Sequence, residues 1–224
     1  MNPLLPKPIF RVVAGATFFG AALAAQAQAP AGDVSAGEAK ASMCIGCHGI
    51  IGYQNSFPEI HRVPKISGQS AGYIVSALTA YKKGDRKHPS MRGIAASLSE
   101  QDMADLAAFY SAHAGNVTAA ETPSKAPSGA VAALIEKGAC TSCHGANFSK
   151  PIDPSYPKIA GQHPDYLYVA LKSYAVDPNH VVGRANPIMG GTAKQYKLAE
   201  LKQMATYLAS LDGELKTVPQ SKFR

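Results

Sequence analysis

The sequence predicts an all-α protein made of two tandem copies of one small domain. Three observations carry this across the 224 residues: an internal repeat, helical spacing of apolar residues within each copy, and no sustained strand alternation. Met43-Cys44-Ile45-Gly46-Cys47-His48-Gly49 returns as Ala139-Cys140-Thr141-Ser142-Cys143-His144-Gly145, offset by 96. Pro64 to Gln69 returns as Pro157 to Gln162, and Tyr73, Leu78 and Tyr81 return as Tyr166, Leu171 and Tyr174, all at offset 93. Met91-Arg92-Gly93 returns as Met189-Gly190-Gly191, and Leu106 to Phe109 matches Met204 to Tyr207, at offset 98. The order is kept and the offsets drift by a few residues, as small loop insertions between fixed elements would cause.

The elements follow in chain order. The first thirty residues carry Lys7 and Arg11, then an apolar run from Val12 to Ala25, then Ala25-Gln26-Ala27. That is the pattern of a secretory signal peptide cut after Ala27, with a retained N-terminal anchor as the alternative. The run is shorter than the roughly 20 residues that a membrane-spanning helix needs. A short helix is expected over Val34–Cys44, and another over Ser70–Lys83, stopped by Gly84. Ser99-Glu100-Gln101-Asp102 reads as a capping box, followed by Met103, Leu106, Ala107 and Tyr110 on one helical face. The second copy begins at Gly129 after the cap Ser128, resumes at Pro164, and repeats the last face with Leu201, Met204, Ala205 and Leu208. Val117 to Ser128, with Pro123 and Pro127, has linker composition and can span at most about 40 Å. The tail from Glu214 is polar and expected to be extended. The expected layout is therefore a signal peptide at 1–27, a first domain at 28–116, a linker at 117–128 and a second domain at 129–224.

Composition narrows the function. Charged residues are 17% and hydrophobic ones 46%, which excludes wholesale disorder. Aromatics reach only 8% and tryptophan is absent, so the interior has few large fillers and calls for another bulky apolar object. Without Lys7 and Arg11 the chain holds 20 basic and 15 acidic side chains. Neither half has the dense basic face with interleaved aromatics that nucleic-acid binding needs, so no nucleic acid is expected.

All four cysteines lie in two Cys-x-x-Cys-His motifs, the signature of covalent c-type haem attachment. Two thiols one helical turn apart can each add across a haem vinyl group. The adjacent histidine then sits under the iron as proximal ligand. The rival readings fit poorly. A zinc ribbon wants its two pairs some 15–20 residues apart. A thioredoxin-like pair wants a βαβ context. Plain disulfides leave the repeated histidine unexplained. Two covalent haems c are expected, on Cys44, Cys47 and His48 and on Cys140, Cys143 and His144.

For the distal side of the iron, Met91 and Met189 are the candidates. Each lies at a matching place in a Pro- and Gly-containing loop before the last helix of its copy. Met103 and Met204 sit on apolar helix faces and read as core. His88 and His180 are the alternatives, read as solvated loop histidines, and His61, His113 and His163 read as exposed. A His/Met pair raises the reduction potential relative to two nitrogen ligands and fills the coordination sphere, favouring electron carriage. Pro64 and Pro157 are placed to offer a backbone carbonyl to the other ring nitrogen of each histidine. The four repeated tyrosines read as packing around the haems. Lys82, Lys83, Arg86 and Lys87 form either a solvated turn or a docking patch for an acidic partner. Haem propionates add about four negative charges, which nearly neutralises the mature chain.

On these motifs, together with Pro64 to Gln69, His88-Pro89-Ser90-Met91 and Leu98 to Tyr110, the chain resembles the dihaem cytochrome c4 family of class I c-type cytochromes. The resemblance spans nearly all of the mature chain. It implies two class I domains packed about a pseudo-two-fold seam, with haem propionates facing each other. It also implies periplasmic electron carriage, commonly between a quinol-oxidising complex and a terminal oxidase, and a monomer is expected. Some members associate loosely with membranes. Related dihaem chains serve as electron-transfer subunits of dehydrogenases, which is the second reading. A dihaem peroxidase is the third, and it would need one open iron site. Two departures from the family pattern are a long Gly52–Val63 segment and an extended second methionine loop.

Overall fold

Asp33 starts the first helix. Its carboxylate accepts from the Ala36 N–H at 2.7 Å, which satisfies one of the free donors at the start of α1 (Val34–Lys40). The computed structural model describes residues 30–116, 118–177, 179 and 181–219, so the signal-peptide segment and His180 lie outside the described residues. The first half continues with α2 (Ser42–His48), α3 (Ala71–Lys83), α4 (Pro89–Ala96) and α5 (Glu100–Ala112). The second half repeats them as α6 (Gly129–Lys137), α7 (Cys140–His144), α8 (Pro164–Ala175), α9 (Pro187–Ala193) and α10 (Leu198–Ser210).

In each half the first and last helices cross and the middle helix packs on the last. The α1–α5 crossing depends on Gly37, where a Cβ would sit 2.1 Å from the Asp105 carbonyl oxygen. Asp105 locks the same crossing, accepting from Asp33 N–H at 2.9 Å and from Lys40 Nζ at 2.6 Å. Ser99 and Asp102 form the expected capping box, and Ser128 caps α6. Met103 and Met204 are buried core residues, as their helical spacing predicts.

Several elements differ from the sequence reading. The expected helix over 34–44 breaks at Ala41, where a tight turn starts the separate helix α2. The expected methionine loops are short helices. Pro89 and Pro187 occupy the first helical turn, where the missing N–H costs nothing, and His88 and Asn186 cap them. The long Gly52–Val63 segment contains a ribbon of two two-residue strands, β1 (Gln54–Asn55) and β2 (His61–Arg62), paired antiparallel. Strands this short leave no alternation to read.

That ribbon reaches the second half. Arg62 Nε meets Asp165 Oδ2 at 2.9 Å, and Glu59 Oε2 accepts from Lys172 Nζ at 2.9 Å. His61 is only 4% exposed, packed near the rings of His88 and Tyr166, and not a surface histidine. His113 is partly buried too, stacked on Phe109 at 4.5 Å, and burial and the nearby cations Lys65 and Arg62 push His163 down to about 4.

The seam between the halves repeats one clasp about a pseudo-two-fold axis. Gln69 Nε2 donates to the Lys158 carbonyl and Gln69 Oε1 accepts from Lys158 N–H, both at 2.9 Å. Lys65 and Gln162 do the same in reverse. Lys158 Nζ donates to the Gly68 carbonyl at 3.0 Å, and Lys65 Nζ donates to the Gly161 carbonyl at 2.7 Å. The described part of the C-terminal tail, residues 214–219, is not free. Leu215 is 2% exposed, and Lys216 N–H donates to the Ser67 carbonyl at 2.9 Å, tying the tail to the first half.

Candidate functional site

Each half places its cysteine pair and histidine on one short helix. Helical spacing sets Cys44 over Cys47, and Cys140 over Cys143, on one face, with the histidine directly following. All four thiols are free. Burial pushes the Cys44 thiol up to about 11 and raises that of Cys140, which disfavours the thiolate that a redox or zinc cysteine uses. Among the described residues no three His, Cys, Asp or Glu side chains gather into a metal-holding group.

The histidines are oriented identically. His48 Nδ1 lies 2.8 Å from the Pro64 carbonyl oxygen, and His144 Nδ1 lies 3.0 Å from that of Pro157. A carbonyl only accepts, so Nδ1 carries the proton and donates, leaving Nε2 as a lone-pair nitrogen. Burial lowers the pKa of both rings, against a smaller opposing effect of the carbonyl bond, and so favours the neutral imidazole that binds a metal.

Met91 and Met189 both lie in the first turn of a short helix and are partly buried. The Met91 N–H donates to His88 Nδ1 at 3.4 Å, and the Met189 N–H donates to Asn186 Oδ1 at 2.9 Å. His88 is therefore a helix cap whose ring packs edge-on to Phe57, not a solvated histidine. In the second half Cys140, His144 and Met189 line one cleft with apolar walls that include Ile159, Leu171 and Leu201. In the first half Cys44, Ile66 and Leu78 pack on the equivalent core. A flat apolar macrocycle held by two thioethers, with its metal between a ring nitrogen and a thioether sulfur, fits this donor set and this lining.

Two sets of residues were not singled out from the sequence. Lys65, Gln69, Lys158 and Gln162 belong to the repeated segment but read there only as pattern. Arg86 reads in the sequence as one of a basic run with Lys82, Lys83 and Lys87, yet its guanidinium turns inward and donates to the Tyr73 hydroxyl at 3.0 Å. The signal was present: Arg184 stands 98 residues later, the same offset that relates Met189 to Met91. The four repeated tyrosines likewise face these arginines.

The family model Cytochrome c matches residues 34–112 and 130–212. Cytochrome c4 of Thiocapsa roseopersicina is 35% identical over 208 residues, covering 83% of this chain and 97% of the relative. A thiosulfate dehydrogenase electron acceptor of Stutzerimonas stutzeri is 30% identical, covering 84% and 90%. Among solved structures, reduced recombinant cytochrome c4 from Pseudomonas stutzeri superposes with a TM-score of 0.57 at 25% identity, covering 81% of this chain and all of that one.

Proposed function

The chain belongs to the cytochrome c family, as a dihaem c-type electron carrier of the cytochrome c4 kind, and on that premise we propose the following ligand set, location and partners. Cys44 and Cys47 hold one haem and Cys140 and Cys143 the other. His48 and His144 are the proximal ligands, and Met91 and Met189 the distal ones. The haem-bearing units occupy 28–116 and 129–224, joined by the linker at 117–128.

When bound, each haem iron supplies a one-electron ferric/ferrous couple. The chain's own residues set the conditions for it. The Pro64 and Pro157 carbonyls fix the tautomer and tilt of the imidazoles, and so raise their basicity as ligands. His88 and Asn186 start the helices that carry the methionines. The apolar walls exclude water, so little solvent must reorganise when the charge changes. With His48 and Met91, and His144 and Met189, as ligands, the irons would offer oxygen and peroxide no open position, which supports a carrier with no catalytic activity of its own.

The observation that carries the ligand set is the cleft shared by Cys140, His144 and Met189. Optical and magnetic spectroscopy of the oxidised protein tests it. Two low-spin haems with sulfur–iron charge-transfer absorption are expected, and a high-spin component at either site overturns the assignment there.

We place the protein in the periplasm as a monomer that exchanges electrons with a quinol-oxidising complex and a terminal oxidase. Among the described residues no helix is long and apolar enough to cross a membrane. A second reading is favoured by the match to a thiosulfate dehydrogenase electron acceptor: service as the acceptor of a periplasmic dehydrogenase. A catalytic partner that stays bound through purification would select this second reading.

A further inference from the structure

Arg86 and Arg184 meet at the seam. Their backbones pair as an antiparallel bridge, flanked by Lys87 N–H donating to the Gly183 carbonyl at 3.0 Å and Ala185 N–H donating to the Asp85 carbonyl at 2.7 Å. Each guanidinium lies over two tyrosine rings of its own half. Arg86 is 5.2 Å from the Tyr73 centroid and 5.6 Å from that of Tyr81. Arg184 is 5.6 Å from Tyr166 and 5.3 Å from Tyr174. Arg86 donates to the Tyr73 hydroxyl at 3.0 Å and Arg184 to the Tyr166 hydroxyl at 3.3 Å.

The cluster is rich in donors and poor in acceptors. A guanidinium has five N–H donors and no acceptor, and each phenol adds one O–H, so six side chains hold about fourteen donors against four phenolic oxygens. Both arginines are partly buried, and among the described residues neither forms an ion pair with a carboxylate. Asp85, next to Arg86 in the chain, is exposed and pairs with neither. Two like charges across a narrow, half-desolvated seam repel unless an anion lies between them.

Such an anion should be an acceptor without donors, and the haem propionates are carboxylates of that kind. The tyrosines also connect this cluster to both haem-bearing cores. Tyr73 and Tyr81 stand on α3, whose Ile74 and Leu78 pack into the first core. Tyr166 and Tyr174 stand on α8, whose Leu167 and Leu171 pack into the second.

Building on the dihaem reading above, we infer that Arg86 and Arg184 are potential-setting residues shared by the two haems. Each serves as counter-charge to propionates at the seam, and each raises the reduction potential of both irons, not only the one in its own half. Neither touches an axial ligand position, so they act as positioning and electrostatic residues.

The test is a spectroelectrochemical titration of the full-length, haem-loaded protein as wild type, Arg86→Gln, Arg184→Gln and Arg86→Lys. The oxidised iron carries one more positive charge, so loss of a nearby cation favours it. Each Gln variant is expected to move both one-electron steps to lower potential. At fixed applied potential, the reduced-to-oxidised ratio of each haem should fall threefold or more. Arg86→Lys should restore most of the change. The low-spin spectrum and sulfur–iron band should persist in every variant, because the ligands are untouched. Unmoved potentials, a shift confined to one haem, or a shift that comes with loss of the sulfur–iron band would each overturn the inference. If Arg86→Gln does not fold, Arg184→Gln reads the same outcome from the other side. A wild-type protein lacking the sulfur–iron band would instead overturn the ligand assignment.

Discussion

Gln162 grips Lys65 by both polar groups of its amide: its Oε1 accepts from the Lys65 N–H at 3.0 Å, and its Nε2 donates to the Lys65 carbonyl at 2.9 Å. The glutamine is 4% exposed, so these bonds are made where water cannot replace them. Gln162→Ala should therefore cost about 1–3 kcal/mol, from two bonds at roughly 0.5–1.5 kcal/mol each. Equilibrium denaturation reads this as a lower midpoint. Adding Gln69→Ala should split the single transition in two, because the halves then unfold with less reference to each other. One unchanged transition in the double variant would show that the clasp does not couple them.

On the proposed ligand set, replacing Met91 or Met189 should act on one haem only. Met189→Ala should halve the sulfur–iron absorption and add a high-spin fraction of about half the total haem. Met91→Ala should do the same for the other half. Loss of the whole band from either single change would contradict one methionine per iron.

Gly145, directly after His144, has φ +79°, and a Cβ there would lie 2.1 Å from the Lys150 carbonyl oxygen. Gly145→Ala should destabilise by more than the ~1–3 kcal/mol that this backbone conformation, essentially confined to glycine, costs another residue, because the clash is with main chain. The yield of folded, haem-loaded protein and its thermal midpoint measure this. A variant as stable as wild type would show that the loop from Gly145 to Lys150 shifts freely.

Acid stability should depend on Asp105. Lys40 foremost, with the Asp33 N–H and Gln101, holds its carboxyl at about 2 against the usual 3.8. A depressed carboxyl stabilises the fold fully above its unfolded value and loses that contribution as pH falls from about 3.8 toward 2. Asp105→Asn should lower the thermal midpoint at neutral pH and flatten its fall across that window. Asp102, which also pairs with Lys40, should leave some slope. An equally steep acid limb in the variant would place the titration elsewhere.

The helices, the repeat and the cysteine–histidine motifs were legible because each is written in local spacing. The Ser99 capping box, the stop at Gly84 and the buried faces of Met103 and Met204 need only a few neighbouring residues to be read. Much of what escaped depends on contacts beyond the local window, those of the ribbon about a hundred residues apart. The ribbon over 54–62 is too short to alternate, and it is ordered against Asp165 and Lys172 in the other half. His61 looked like a surface residue because the side chains that cover it come from elsewhere in the chain. Arg86 read as part of a basic run, and only the fold turns it away from Lys83 and toward Tyr73. The methionine helices read as loops in the sequence because proline and glycine commonly break helices, although proline at a first turn begins a helix as readily as it ends one.

The Pro64 carbonyl holds the His48 ring, and the next residue, Lys65, is held by the opposite half; Pro157 and Lys158 mirror this for His144. Each imidazole is thus one peptide unit away from the same seam. On the proposed ligand set, a strain that shifts one half against the other would reach both rings together, through Pro64–Lys65 and Pro157–Lys158.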